Sequence, residues 1–212
     1  MITSYSQMLV KGYRGQLDEE ADLCVSYIAD GTKRMRELLA DLLAYTQAGA
    51  EGQNRFEGTA DLNVVFQQSV ENCKSAIQES GAVITSDPLP CVWGHPAHFL
   101  QIFQNLLSNA IKYRSKDTPR IQVTAGEHNG EWRISVADNG IGIDVEFHHK
   151  VFGVFKRLHG RAIPGTGIGL AICQRLIQRY NGRIWVHSEP GQGATFYFTL
   201  PVVSRAAKRG TA

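Results

Sequence analysis

The sequence predicts an α+β protein: an N-terminal helical hairpin followed by an α/β sandwich in which a mixed β-sheet packs on helices. Three observations carry this. Ala21, Ile28, Met35 and Leu42 recur every seven residues, interleaved by Cys24, Gly31, Leu38 and Tyr45, the a/d seam of a helix that packs lengthwise on others. The second half alternates apolar and polar residues in pairs of strands parted by short turns, "RIQVTAG" with "EWRISVADNG" and "GRIWVHS" with "ATFYFTL". Two strong amphipathic helices, Pro96 to Arg114 and Ile168 to Tyr180, stand apart from those strand pairs.

The first helical stripe is Ile2, Tyr5, Leu9 and Tyr13, and the second helix runs from Asp18 to Tyr45. Asp18 is placed as its N-cap, with Glu19 and Glu20 in the first turn where acids suit the helix dipole. A short connection between the two makes an antiparallel hairpin. Its seam implies a dimer through the hairpin, or else a core pair within a monomer. Residues 1–48 are the hairpin, 49–61 ("GAEGQNRFEGTAD") a Gly-rich linker, 62–203 the α/β domain and 204–212 a disordered basic tail. Within the domain, Asn63 to Ser80 reads as helix, and "AVITS" and "CVW" as short strands.

Composition narrows the function classes. At 43% hydrophobic, 20% charged and net charge +2, nothing draws the chain towards nucleic acid. Cys24, Cys73, Cys91 and Cys173 lie far apart without zinc-ligand spacing, which suits reduced thiols and a cytoplasmic location. No apolar run approaches a membrane span and no signal-peptide core opens the chain.

Three motifs carry chemistry. In "QIFQNLLSNAIKYR", Asn105, Asn109 and Lys112 share one helix face while Phe99, Ile102, Phe103, Leu106 and Ala110 take the other. An amide carbonyl is a hard-oxygen ligand for Mg²⁺ and an ammonium suits phosphate; a plain solvated face is the alternative. In "WRISVADNGIGID", Asp138 shares a strand face with Trp132, Ile134 and Val136 and so points inward, where an exocyclic amine of a purine could satisfy it. An Asx-turn at the strand end is the alternative there. In "PGTGIGLAICQRL", alternating glycines precede a helix, a geometry that brings backbone N–H groups towards phosphate, yet neither a Walker loop nor a dinucleotide fingerprint is present.

The blocks "NLLSNAIKY", "DNGIGI", "VFGVFKRLHG", "GTGIGLAIC" and "GQGATFYFTLP" resemble, in this order, the ATP-binding domain of sensor histidine kinases, within the superfamily shared with gyrase, the Hsp90 chaperones and MutL. The run "RLH…PGTGIGLAIC" is closest to phytochrome-type kinases, and the hairpin is similar to the family's dimerisation and phosphotransfer element. The resemblance implies ATP and Mg²⁺ as ligands. By position it makes Asn109 the Mg²⁺ ligand, with Asn105 and Lys112 near the phosphates and Tyr113 beside adenine and ribose. Asp138 would accept from the adenine amino group, with Gly140 and Gly142 bringing backbone to the ring. Arg157, with Lys156 and Arg161, would belong to the lid; Gly165, Gly167 and Gly169 with Leu170 would cradle phosphate; Thr195 would close the adenine pocket. Asn105, Lys112 and Arg157 are the residues it marks as catalytic. It further implies a homodimer, a response regulator receiver domain as partner, and a sensor region upstream.

The sequence departs from the family in places. His95 stands where relatives often carry Asp, read as a surface change, and the lid "HGRAIPG" is short and lacks an acidic pair. None of His95, His98, His128, His148, His149, His159 or His187 has the His-Asp or His-Glu context of the family's phosphoacceptor, so the acceptor is expected outside this chain. The "EFHHKVF" stretch reads as a helix beside the lid. Three readings follow: the catalytic part of a histidine kinase, a non-catalytic nucleotide-gated dimerisation module, and an ATP hydrolase. The last is disfavoured because Asn105 holds the place where hydrolytic relatives carry a water-activating Glu, and an amide takes no proton.

Overall fold

The computed structural model describes residues 2–13, 18–49, 58–158, 163 and 165–202. Helix α1 (Ile2–Tyr13) and helix α2 (Glu19–Ala48) form the N-terminal hairpin. Asp18 caps α2 as expected: its backbone is extended, and its Oδ1 accepts from the Ala21 N–H at 2.8 Å. Glu19, Glu20 and Asp22 then set negative charge in the first turn.

The apolar seam of α2 divides between two fates. Ile28, Met35 and Leu42 remain 51%, 56% and 42% exposed, whereas Leu38 and Tyr45 pack against the core of the following domain, close to buried Ala48. The last turns of α2 therefore belong energetically to that domain. Earlier turns keep their apolar stripe uncovered.

The expected linker of residues 49–61 ends in structure, because strand β1 (Thr59–Asp61) pairs antiparallel with β3 (Cys91–Trp93) in a separate two-stranded ribbon. Residues 50–57 of that linker and the tail from 203 lie outside the described residues. The single helix expected over 63–80 is two, α3 (Leu62–Asn72) and α4 (Lys74–Ser80). At Cys73 the backbone turns to φ −94°, ψ 4°, and its N–H is shared between the Ser69 and Val70 carbonyls. α3 buries Leu62, Val65, Phe66 and Ser69, whereas α4 buries no residue fully and rests on the core only through half-buried Ile77.

The main sheet has the order β2-β4-β5-β7-β6, with β2 (Val83–Ser86), β4 (Arg120–His128), β5 (Glu131–Asp138), β6 (Ile184–Ser188) and β7 (Ala194–Pro201). β2 and β4 run parallel; the other pairs are antiparallel. Helices α5 (Pro96–Lys112) and α6 (Gly169–Arg179), with α3, cover one face. On that face Ile134 lies beside Phe198 and Val136 beside Phe196 in register between β5 and β7, and Phe103 of α5 meets Phe198 edge-on at 6.1 Å across the interface. On the opposite face Trp185 stacks on Tyr197 at 5.4 Å and Thr124 bonds Ser135 at 2.6 Å. This is the layered arrangement that the strand pairs predict.

Between β5 and α6 the chain makes two 3₁₀ turns, Val145–Phe147 and Lys150–Phe152, in place of the helix expected at "EFHHKVF". Val151 and Phe152 anchor the second turn in the core, and Gly153 leaves it in an extended conformation. Among the described residues no helix is long and apolar enough to cross a membrane.

Candidate functional site

Helix α5 supplies one wall. Its start is fixed by His95, whose extended backbone precedes Pro96 and whose Nδ1 accepts from the Ala97 N–H at 3.2 Å. His95 is thus a helix cap and no mere surface change. Phe99, Ile102, Phe103, Leu106 and Ala110 are buried, which turns Asn105, Asn109 and Lys112 towards the cleft in front of α6. Asn105 donates from Nδ2 to the Gly169 carbonyl at 3.1 Å, tying the middle of α5 to the first turn of α6.

Lys112 lies over the Tyr113 ring at 4.7 Å from ammonium to centroid. Burial holds its ammonium below the ordinary lysine range, and the Arg157 guanidinium adds repulsion. Two cations that disfavour each other beside one cleft are suited to an anionic ligand. Gly165 stands against Lys112: a Cβ there would come within 2.3 Å of Nζ, and its φ of +148° is one that L side chains rarely adopt. Arg157 is held by donating from Nη2 to the Ile163 carbonyl at 2.6 Å. Arg161, also assigned to the lid, lies outside the described residues.

Asp138 ends β5 opposite Ala194 of β7, on the inward face with Ile134 and Val136. Its Oδ1 accepts from Gly140 N at 2.8 Å and Ala194 N at 3.2 Å. Burial raises its pKa above the ordinary carboxylate value, and the two backbone donors hold back part of that rise. Both donors go to Oδ1, so Oδ2 is the oxygen open to an incoming donor. The neighbouring glycines are required by packing. At Gly142 (φ +73°) a Cβ would sit 2.0 Å from the Glu189 carbonyl oxygen, and at Gly140 one would sit 2.5 Å from that of Tyr113.

These walls enclose a cleft in two continuous halves that share Asn109, Tyr113, Val151, Lys156 and Leu170. The inner half, about 600 Å³, is largely apolar, lined by Ile141, Ile143, Leu170 and Phe196, with Asp138 as its carboxylate. The outer half, about 790 Å³, is polar and takes in Asn105, Lys112, Gly165, Gly167 and Gly169. Nearly all of the residues picked out from the sequence converge here. Gly140 stands behind the wall, supporting Asp138. Thr195 is the exception: it pairs with Ala137 and His187 between inward-facing Ala194 and Phe196, so strand alternation sends its side chain to the far face of the sheet. Ala194 takes its place at the cleft.

Sequence reasoning also missed Glu37 and Asp41 of α2, which line the outer half. Asp41 Oδ2 accepts from Thr166 Oγ1 at 2.5 Å, across 125 residues of chain. Nothing in the heptad pattern signals that contact. Ala194 and Phe196, by contrast, could have been found from the alternation that places Asp138.

Comparison with known proteins agrees with this geometry. The chain is 42% identical over 209 residues to cyanobacterial phytochrome A of Nostoc sp., covering 98% of this chain and 27% of that protein. It spans about a quarter of the length of two curated relatives that it matches, that phytochrome and the phytochrome-like protein Cph1 of Synechocystis sp.. The full-length structure of ShkA in complex with AMPPNP superposes with a TM-score of 0.73 at 26% identity, covering 94% of this chain and 42% of that one. Histidine kinase ThkA, solved in complex with response regulator protein TrrA, shares the fold at a TM-score of 0.66 and 19% identity, covering 94% of this chain and 58% of that one. Residues 94–204, which hold strands β4 to β7, α5, α6 and most of the cleft lining, match the histidine kinase-, DNA gyrase B- and HSP90-like ATPases, and the chain belongs to that family as a domain of the histidine kinase type.

Proposed function

We propose that the cleft binds ATP with Mg²⁺ and that the domain transfers the γ-phosphoryl group to a histidine supplied from outside this chain, as the catalytic part of a sensor histidine kinase. The observation that carries this is the division of one cleft into a largely apolar half with a single half-buried carboxylate, Asp138, and a polar, glycine-lined half that holds Lys112 and Lys156. Purine and polyphosphate need those two environments side by side.

Each residue has a task in this reading. Asp138 Oδ2 accepts from the adenine amino group, which guanine cannot offer at that position. Tyr113, Ile141 and Leu170 flank the ring. Lys112 and Arg157 hold the phosphates, relieving the repulsion between their own charges. The amide oxygen of Asn109 fits a hard cation, and few protein ligands suit Mg²⁺, which keeps water and phosphate oxygens around it. Such an ion would neutralise charge on the transferred group. Asn105 is already engaged with Gly169 and has no basic atom for activating water.

Phosphoryl transfer then depends on a nucleophile held in line with the terminal phosphate. The described histidines all lie in the α/β domain and the loops on it, away from α1 and α2. Homodimerisation through the exposed hairpin stripe, a response regulator as the phosphoryl recipient, a sensor region upstream and a cytoplasmic location complete the proposal.

Incubation with Mg²⁺ and γ-labelled ATP tests it. The chain alone should form no acid-labile phosphoprotein, while a separate hairpin with the family's His-Asp motif should become labelled in its presence. Labelling of the isolated chain on one of its own histidines would overturn the assignment.

A further inference from the structure

The contact between Asp41 and Thr166 gives the hairpin a role at the nucleotide site. Thr166 lies between Gly165 and Gly167 on the loop that lines the outer half of the cleft, and its Oγ1 also accepts from the Ile168 N–H at 3.3 Å. The same hydroxyl donates to Asp41 Oδ2. Glu37, one turn earlier on α2, lines the same space. Two carboxylates therefore border the half of the cleft that also contains Lys112 and Lys156, and among the described residues no ion pair joins either acid to a lysine. α2 is held there by more than this bond. Leu38 and Tyr45 pack on the domain core, and the Arg175 guanidinium of α6 lies 4.5 Å from the centroid of the Tyr45 ring.

We propose that Asp41 makes the docked hairpin a selector against the terminal phosphate. With α2 seated on α6, the cleft accepts a nucleoside diphosphate more readily than a triphosphate, and a triphosphate must displace Asp41 from Thr166 and loosen α2 with it. The reasoning is electrostatic. A triphosphate places more negative charge in the outer half than a diphosphate does, and a carboxylate bonded to the phosphate loop opposes that added charge. Differential affinity of this kind is what couples ligand identity to conformation. ATP in place of ADP would thereby free the hairpin to move relative to the domain. This inference rests on the nucleotide reading of the cleft given above.

Calorimetry with ADP and ATP, each with Mg²⁺, separates the two ideas. Asp41→Asn keeps the shape and an acceptor for Thr166 while removing the charge. The ratio of ATP affinity to ADP affinity should rise at least about fivefold in this variant. Arg175→Ala lines no part of the nucleotide cleft and removes one contact of α2 with α6; by weakening the docking it should raise the ratio in the same direction, by less than Asp41→Asn does. Spin labels on the exposed Cys24 of α2 and Cys91 of β3 report docking directly: ATP should broaden or shift their distance distribution, and ADP should leave it as in the free protein. Failure of the wild-type chain to bind either nucleotide would sink the nucleotide reading itself. Binding of both with an unchanged ratio in Asp41→Asn would overturn the selector alone. A fall in the ratio would do the same, by making Asp41 a partner of the metal-bound triphosphate.

Discussion

The side-chain amide of Asn105 reaches the Gly169 carbonyl across 64 residues of chain and holds the start of α6 against α5. Asn105→Asp replaces the donor with an acceptor facing another acceptor. The unfolding free energy should fall by about 1–3 kcal/mol, the usual cost of an unsatisfied, partly buried polar pair. Urea titration monitors this. No ATP hydrolysis should be gained at the same time, because the new carboxylate is aimed at backbone rather than at a water beside phosphate.

Asp138→Asn keeps an oxygen for Gly140 and Ala194 but weakens the acceptor offered to an amino group. We expect roughly a tenfold loss of ATP affinity, worth about 1.4 kcal/mol, and a narrowed preference for ATP over GTP. Unchanged affinity and unchanged base preference in calorimetry would remove Asp138 from the pocket's recognition role.

Asn109→Asp retains an oxygen ligand and adds a negative charge where both halves of the cleft meet. ATP binding should weaken by more than tenfold while the unfolding midpoint stays near that of the wild type. A magnesium titration of ATP binding, followed by fluorescence, reads the effect; affinity equal to the wild type at saturating Mg²⁺ contradicts it.

Met35, Leu39 and Leu43 are 56%, 60% and 61% exposed along α2, a continuous apolar face larger than isolated surface residues produce. The wild-type chain should sediment as a dimer. Leu39→Lys should shift it towards monomer without affecting nucleotide binding, as measured by analytical ultracentrifugation. A monomeric wild type removes the dimer proposal.

His98 gives the fold a pH dependence. Its Nδ1 bonds the Tyr180 hydroxyl, and burial, then Arg179 and His95, lower its pKa from 6.5 to about 4. Between those values the unfolded chain binds a proton that the folded chain refuses. The stabilisation is therefore full above pH 6.5 and lost as pH falls towards 4. His98→Gln should flatten this part of the pH profile in chemical denaturation; a wild-type difference that persists only above pH 7 would contradict the assignment.

Much of this protein was legible in its residues because the relevant physics is local or periodic. Asp18 caps α2 because a carboxylate before a helical stripe meets free N–H groups wherever it stands. The stripe Phe99, Ile102, Phe103, Leu106, Ala110 turns Asn105, Asn109 and Lys112 to the other side of α5 by helical pitch alone. Period-two alternation points Asp138 inward, and the same rule applied one strand further would have chosen Ala194 over Thr195.

Tertiary structure decided what no periodicity contains. Asn63 to Ser80 breaks at Cys73, where the first part buries Val65, Phe66 and Ser69 while the second touches the core only through Ile77. The heptads of α2 look uniform in sequence, yet Leu38 and Tyr45 are taken by the domain while Met35 and Leu42 stay exposed, since α6 covers one side of that helix. The need for glycine at 142 comes from the Glu189 carbonyl, 47 residues away, and the closeness of Asp41 to Thr166 comes from how the hairpin lies on the domain. Sequence spacing sets which side of an element a residue occupies. Which surface meets that side depends on contacts between residues far apart in the chain, and those exist only once the chain has folded.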